Sequence, residues 1–231
     1  MAKNEKSGIE FIESAEALQK EIGKAEGFLA QNKKVLGIVG GVVLVAALAV
    51  VGYKYWVNQQ NQEAETAMFD SVYYFESDSL DLALNGTGGN MGLIEVADQY
   101  GNAPAGNLAK FYVGLSYMKQ GKFDEAINYL NDFSVDDIVL QGKSYALIGD
   151  AYLEKGDAAQ AATYYEKAAS YKPSKSLTPG YLMKLATAQE VAGNKAAALE
   201  AYTEIVNEYP NSSDYLAALK YKSMLETETG E

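Results

Sequence analysis

"GKSYALIGDAYLEKGDAAQAATYYEKAASYKP", residues 142–173, decides the fold, because a related stretch lies on either side of it. Upstream, residues 107–130 read "NLAKFYVGLSYMKQGKFDEAINYL"; downstream, residues 179–210 read "PGYLMKLATAQEVAGNKAAALEAYTEIVNEYP". When the three are laid over one another, Gly114 and Gly149 coincide 35 residues apart, and Ala186 follows 37 residues later. Tyr117 falls on Tyr152, and Gly121, Gly156 and Gly193 share one position. Ala126, Ala161 and Ala198 share another, and Leu130, Tyr165 and Tyr202 a third; Pro173 and Pro210 close the second and third copies. The residue types explain the pattern. Small residues at 114, 149 and 186 let two helices approach closely, aromatics fill the space between hairpins, and the glycines permit the turn inside each hairpin.

This pattern resembles the tetratricopeptide repeat, a helical hairpin with a period of about 34 residues. The departures are Gln189, where an aromatic is usual, and about three extra residues around Ser174 to Thr178, which read as a longer loop. Before Asn107 a degenerate unit is expected: a helix to roughly Tyr74, a Gly-rich insertion, then "GLIEVADQYGNAP" closing at Pro104. After Pro210, "SSDYLAALKYKSML" reads as a terminal helix covering the last open face. The resemblance also implies a concave partner-binding groove. Its lining would be Leu108, Phe111, Leu115 and Met118 in the first unit; Ala146, Asp150, Leu153 and Glu154 in the second; and Met183, Thr187, Glu190 and Val191 in the third. Such a groove is apolar with an acidic rim. Family members that clamp a peptide's C-terminal carboxylate place Lys and Asn where Phe111 and Leu115 stand here, so that mode is not expected. Two readings of the groove remain open: exposed for a polypeptide, or partly covered by the degenerate unit.

Upstream of the repeats, Val35 to Tyr53 is nineteen residues without a charge. At about 1.5 Å per residue, a helix of that length spans a hydrocarbon core of roughly 30 Å. Ala47-Leu48-Ala49 offers a cleavage-like pattern, but the apolar run continues past it and 34 residues with six glutamates precede it, unlike an export signal. The reading is an uncleaved anchor, with Lys33 and Lys34 at one interface and Tyr53, Lys54, Tyr55 and Trp56 at the other. Lys20, Lys24, Lys33 and Lys34 precede it, whereas only Lys54 follows before Lys110, so the N-terminus is expected to stay cytoplasmic. In a bacterium the repeats would then face the periplasm. Gly37 and Gly41 form a G-x-x-x-G that either admits a second membrane helix or reflects ordinary membrane-helix composition.

The net charge of -12 argues against nucleic acid as a partner. All 19 basic residues are lysine, and the chain has no arginine, histidine or cysteine. Thiol nucleophiles, Ser-His-Asp triads, Cys/His metal sites and arginine clamps are thereby excluded within it. No catalytic site, cofactor or metal is expected. Zero cysteine also suits an oxidising compartment. Within "DLALNGTGGNMGLIE", Ala83 replaces a ligand and Gly92 stands where a calcium loop needs its glutamate, and the Lys-Ser/Thr ending of a phosphate loop is missing, so the segment reads as an inter-helix insertion. Residues 9–29 space Ile9, Ile12, Ala15, Leu18, Ile22, Ala25 and Leu29 by three and four, an amphipathic helix that is either a partly helical tail or a surface for a partner or the inner leaflet.

The expected fold is all-α: an N-terminal amphipathic helix over 1–34, a single transmembrane helix over 35–56, an anchor-proximal helix and degenerate unit over 57–106, and over 107–231 an α-solenoid of three tetratricopeptide-type hairpins with a capping helix. This layout is similar to that of the YfgM family, ancillary subunits of the bacterial Sec translocon. Local likeness is clearest in "FLAQNKK" (28–34) leading into the membrane and "YKYW" (53–56) leaving it. The resemblance implies a non-catalytic protein in the inner membrane, with its repeats periplasmic. It would associate with a SecYEG-like translocon and with a membrane-anchored prolyl-isomerase-like chaperone, near emerging polypeptides. The alternative is a scaffold for another envelope assembly or secretion machine.

Overall fold

The computed structural model describes the backbone of residues 5–229, and the side chains of 19, 20, 22, 23 and 28–228. The stripe expected from Ile9 to Ala25 lies, apart from Ile22, outside the described side chains. Two compact units are distinguished, Met1–Trp56 and Val57–Glu231.

The first unit is helical and belongs to α1 (Glu5–Glu76). Its apolar residues Ile38, Val42, Val45, Leu48 and Val51 are each more than half exposed. Among the described residues α1 is the one helix long and apolar enough to cross a membrane. Soluble monomers rarely expose so contiguous an apolar surface, and such surfaces mark contact with protein or membrane. Its backbone hydrogen bonds are satisfied within the helix, which is the condition for burial in lipid.

The second unit holds the rest. The end of α1 is followed by α2 (Leu80–Asn85), a two-stranded hairpin of β1 (Gly86–Thr87) and β2 (Asn90–Met91), and α3 (Leu93–Tyr100). Then come α4 (Pro104–Lys119), α5 (Phe123–Asp132), α6 (Ile138–Glu154), α7 (Ala158–Ser170), α8 (Thr178–Val191), α9 (Lys195–Glu208) and α10 (Tyr215–Thr229). Helices α4/α5, α6/α7 and α8/α9 are the three hairpins, each packed on the next. The insertion read as a plain connection carries secondary structure. Gly86 pairs with Met91 and Thr87 with Asn90, and Gly88 and Gly89 both hold positive φ, as a tight two-residue hairpin turn requires.

All three hairpins turn by one mechanism. Gly121, Gly156 and Gly193 have φ of 71°, 81° and 82°. At each, the glycine N–H donates to the residue three before it, and the next residue's N–H donates back to the carbonyl of Tyr117, Tyr152 or Gln189. This is the paired bonding that closes a helix through a left-handed residue. The small-residue positions are equally explicit. A Cβ on Gly114 would lie 2.5 Å from Leu130 Cγ, and one on Gly149 would lie 2.6 Å from Tyr165 Cε1. The starts of α6 and α7 are fixed by carboxylates: Asp137 accepts from the N–H groups of Val139 and Leu140, and Asp157 from that of Gln160.

The degenerate unit is a packed one. Ala64 and Met68 of α1 join Leu84, Leu93, Val96, Tyr100, Ala109 and Val113 in one core. Ser71 Oγ donates to the Met91 carbonyl over 2.6 Å, tying the hairpin to α1. At the other end α10 covers α9 through Ala218 and Leu225, with Tyr221 stacked on Tyr202 at 5.6 Å. Its other side leaves Leu216, Leu219 and Met224 exposed.

Candidate partner-binding groove

Helices α4, α6 and α8 supply the residues expected to line a groove, and apart from Asp150 and Glu190 the structure divides those residues into three groups. Leu108, Leu115, Met118, Leu153 and Met183 are half-buried, with part of each side chain open to solvent. Glu154, Thr187 and Val191 are exposed, Thr187 Oγ1 donating to the Met183 carbonyl. Phe111 and Ala146 are not on an open surface. Phe111 is only 4% exposed, its ring 5.1 Å from that of Phe133, in a core shared with Ile127, Leu130, Ile148 and Ala151. It therefore fills the seam between the first and second hairpins and does not wall a groove. Ala146 sits in the next seam, with Tyr165 and Ala188.

Two of the acids expected on the rim, Asp150 and Glu190, have structural work. Asp150 Oδ1 accepts from the Tyr165 hydroxyl at 2.7 Å and from Lys184 Nζ at 2.6 Å. One carboxylate thus joins α6 to α7 within a hairpin and to α8 in the next. Glu190 Oε1 accepts from the Tyr202 hydroxyl at 2.6 Å, repeating the first half of that arrangement. Burial first, and the hydrogen-bonded carboxylate second, push both phenols well above the ordinary tyrosine range.

A further apolar surface escaped sequence reasoning. Between the last turns of α1 and helix α4 lies a pocket of about 370 Å³ lined by Met68, Phe69, Val72, Tyr73, Leu108 and Tyr112, with Glu65 and Glu76 at its ends. Phe69 is 75% exposed and Tyr73 64%. The spacing of Glu65, Phe69, Val72, Tyr73 and Glu76 along one helical ridge was readable, but nothing in it says that α4 lies alongside. Leu108 belongs both to this pocket and to the core of the degenerate unit, so that unit covers part of the first repeat's inner surface. A second cavity, of about 440 Å³, lies among α7, α8 and α9 over Leu182 and Ala201, bordered by Glu166, Glu200 and Glu204. Burial, with Glu208 nearby, raises the Glu204 carboxyl above its usual range. Among the described residues no group of three or more acids forms a metal-binding cluster.

In the first unit, a Cβ added at Gly37 or Gly41 would meet nothing within 4 Å, so that helix face is open. Lys33, Lys34, Tyr53, Lys54, Tyr55 and Trp56 are all exposed, with the Tyr53 and Trp56 rings 6.0 Å apart.

Two family models match the chain, both described as tetratricopeptide repeat, one over residues 108–134 and the other over 146–213. The first match falls on α4 and α5 and the second runs from within α6 through α9, and the fold is an all-α tetratricopeptide solenoid. Such repeats are scaffolds for protein–protein contact. No curated protein matches the chain.

Proposed function

We propose that this chain is a non-catalytic scaffold held in the bacterial inner membrane by α1, with its repeats in the periplasm, where they engage polypeptides leaving a SecYEG-like translocon together with a membrane-anchored prolyl-isomerase-like chaperone. The observation that carries the reading is the union of one exposed apolar span with a repeat solenoid whose inner helices keep apolar side chains half open to solvent. The asymmetry of lysines about the span supports the orientation, and the likeness of residues 28–34 and 53–56 to the YfgM family supports the translocon. Leu108, Leu115, Met118, Leu153 and Met183 are the groove residues placed to meet a partner's apolar segment, Gly37 and Gly41 those placed to meet another membrane helix. Cross-linking in cells followed by purification in mild detergent tests it. SecY and a periplasmic chaperone are expected in the cross-linked material; components of another envelope machine in their place would move the scaffold elsewhere.

A further inference from the structure

The slot between α1 and α4 lies mostly outside the matched repeats, since Phe69, Val72 and Tyr73 come from α1 and only Leu108 and Tyr112 from α4. Its aromatic walls are open while its floor, Met68, is buried, and its two ends carry the same charge. Glu65 and Glu76 are eleven residues apart, close to three turns, so they stand on one ridge about 16 Å from each other. Glu65 is held in place. Asn61 Nδ2 donates to its Oε1 at 2.7 Å, while Asn61 Oδ1 accepts from the Ala105 N–H at the start of α4, also at 2.7 Å.

An extended strand advances about 3.3 Å per residue and turns successive side chains to opposite faces, so positions i and i+4 share one face about 13 Å apart, within a lysine side chain's reach of carboxylates about 16 Å apart. We infer that this slot takes an extended polypeptide segment with two lysine or arginine side chains at positions i and i+4 on one face, the cations meeting Glu65 and Glu76 and an aromatic or leucine side chain at i+2 entering between Phe69, Tyr73 and Tyr112. Charge complementarity favours such a segment over an anionic lipid surface, which the two carboxylates and the chain's net charge of -12 repel. The inference rests on the reading of the chain as a polypeptide-binding scaffold, not on which machine it serves.

The test uses the full chain in neutral phosphatidylcholine nanodiscs and a fluorescein-labelled peptide with Lys at its first and fifth positions around Leu-Phe-Leu, followed by fluorescence anisotropy. Saturable binding that weakens as salt rises is expected. Phe69→Ala with Tyr73→Ala is expected to lower affinity at least about tenfold, and because both side chains are mostly exposed the far-ultraviolet spectrum and melting are expected to stay those of the parent. Glu65→Gln with Glu76→Gln is expected to weaken binding about threefold or more and to flatten the salt dependence. Equal binding of a peptide with Glu at both ends, or parental affinity in both double variants, overturns the proposal, and so does equal binding to empty discs, which would assign the peptide to lipid. The chain has no cysteine, so Phe69→Cys supplies a unique thiol; a disulfide-linked dimer formed whether or not peptide is present would assign the slot to a second copy and also overturn it. Absence of SecY from cross-linked material with the peptide result intact would remove the translocon and leave the slot; the converse would leave the scaffold without this site.

Discussion

Phe111 and Leu115 stand four residues apart on α4 and meet the same core at different depths, Phe111 buried within it and Leu115 packed on its edge and partly open to solvent, because a step of about 40° around a helix turns a side chain from the seam toward the open side. Phe111→Ala is expected to cost about 3 to 5 kcal/mol, as for other buried phenylalanines, and to lower the melting temperature of the purified chain markedly. Leu115→Ala is expected to cost much less and to act on partner capture, read by pull-down of envelope proteins. Parental melting of the Phe111 variant would return that ring to the groove. The tyrosine–carboxylate pairs make a second expectation at this scale. Tyr165 and Tyr202 hold their protons more tightly folded than unfolded, so stability is complete below the ordinary phenol pKa and falls as pH rises through about 10, where the unfolded chain ionises first. Denaturant titrations between pH 8 and 11 should show that fall, and Tyr165→Phe with Tyr202→Phe should flatten it.

The hairpin is the element at which sequence and structure agree best. The turn glycine acts within a few residues and recurs in all three hairpins, so it marks each turn without any knowledge of neighbours. Gly156→Ala is expected to cost about 1 to 2 kcal/mol, since alanine must take a φ of 81° with nothing nearby to clash. Chemical denaturation measures that. What depends on two elements meeting was not legible. The period places Phe111 on an inner helix but does not say how closely the following hairpin approaches it. Asp150 and Glu190 read as rim charges because their tyrosine partners lie fifteen and twelve residues away on the returning helix. Phe69 and Tyr73 read as part of a connecting helix because the side of the slot supplied by α4 comes from beyond an insertion whose own hairpin was not foreseen.

At the scale of the whole molecule, a reporter active only outside the cytoplasm, fused after Glu231, is expected to be active and to sediment with membranes. A soluble fragment beginning near Val50 would show instead that the apolar segment is removed. Within residues 57–231 stability also has a direction. Helix α10 is half of a unit: one side rests on α9, and the other, with Leu216, Leu219 and Met224, rests on nothing among the described residues. In a linear array each module borrows stability from its neighbours, and among the described residues α10 borrows from α9 alone. Backbone amides of α10 should therefore exchange with deuterium soonest, those of α9 next and those of α6 and α7 last, a gradient that a partner seated on the free end would erase.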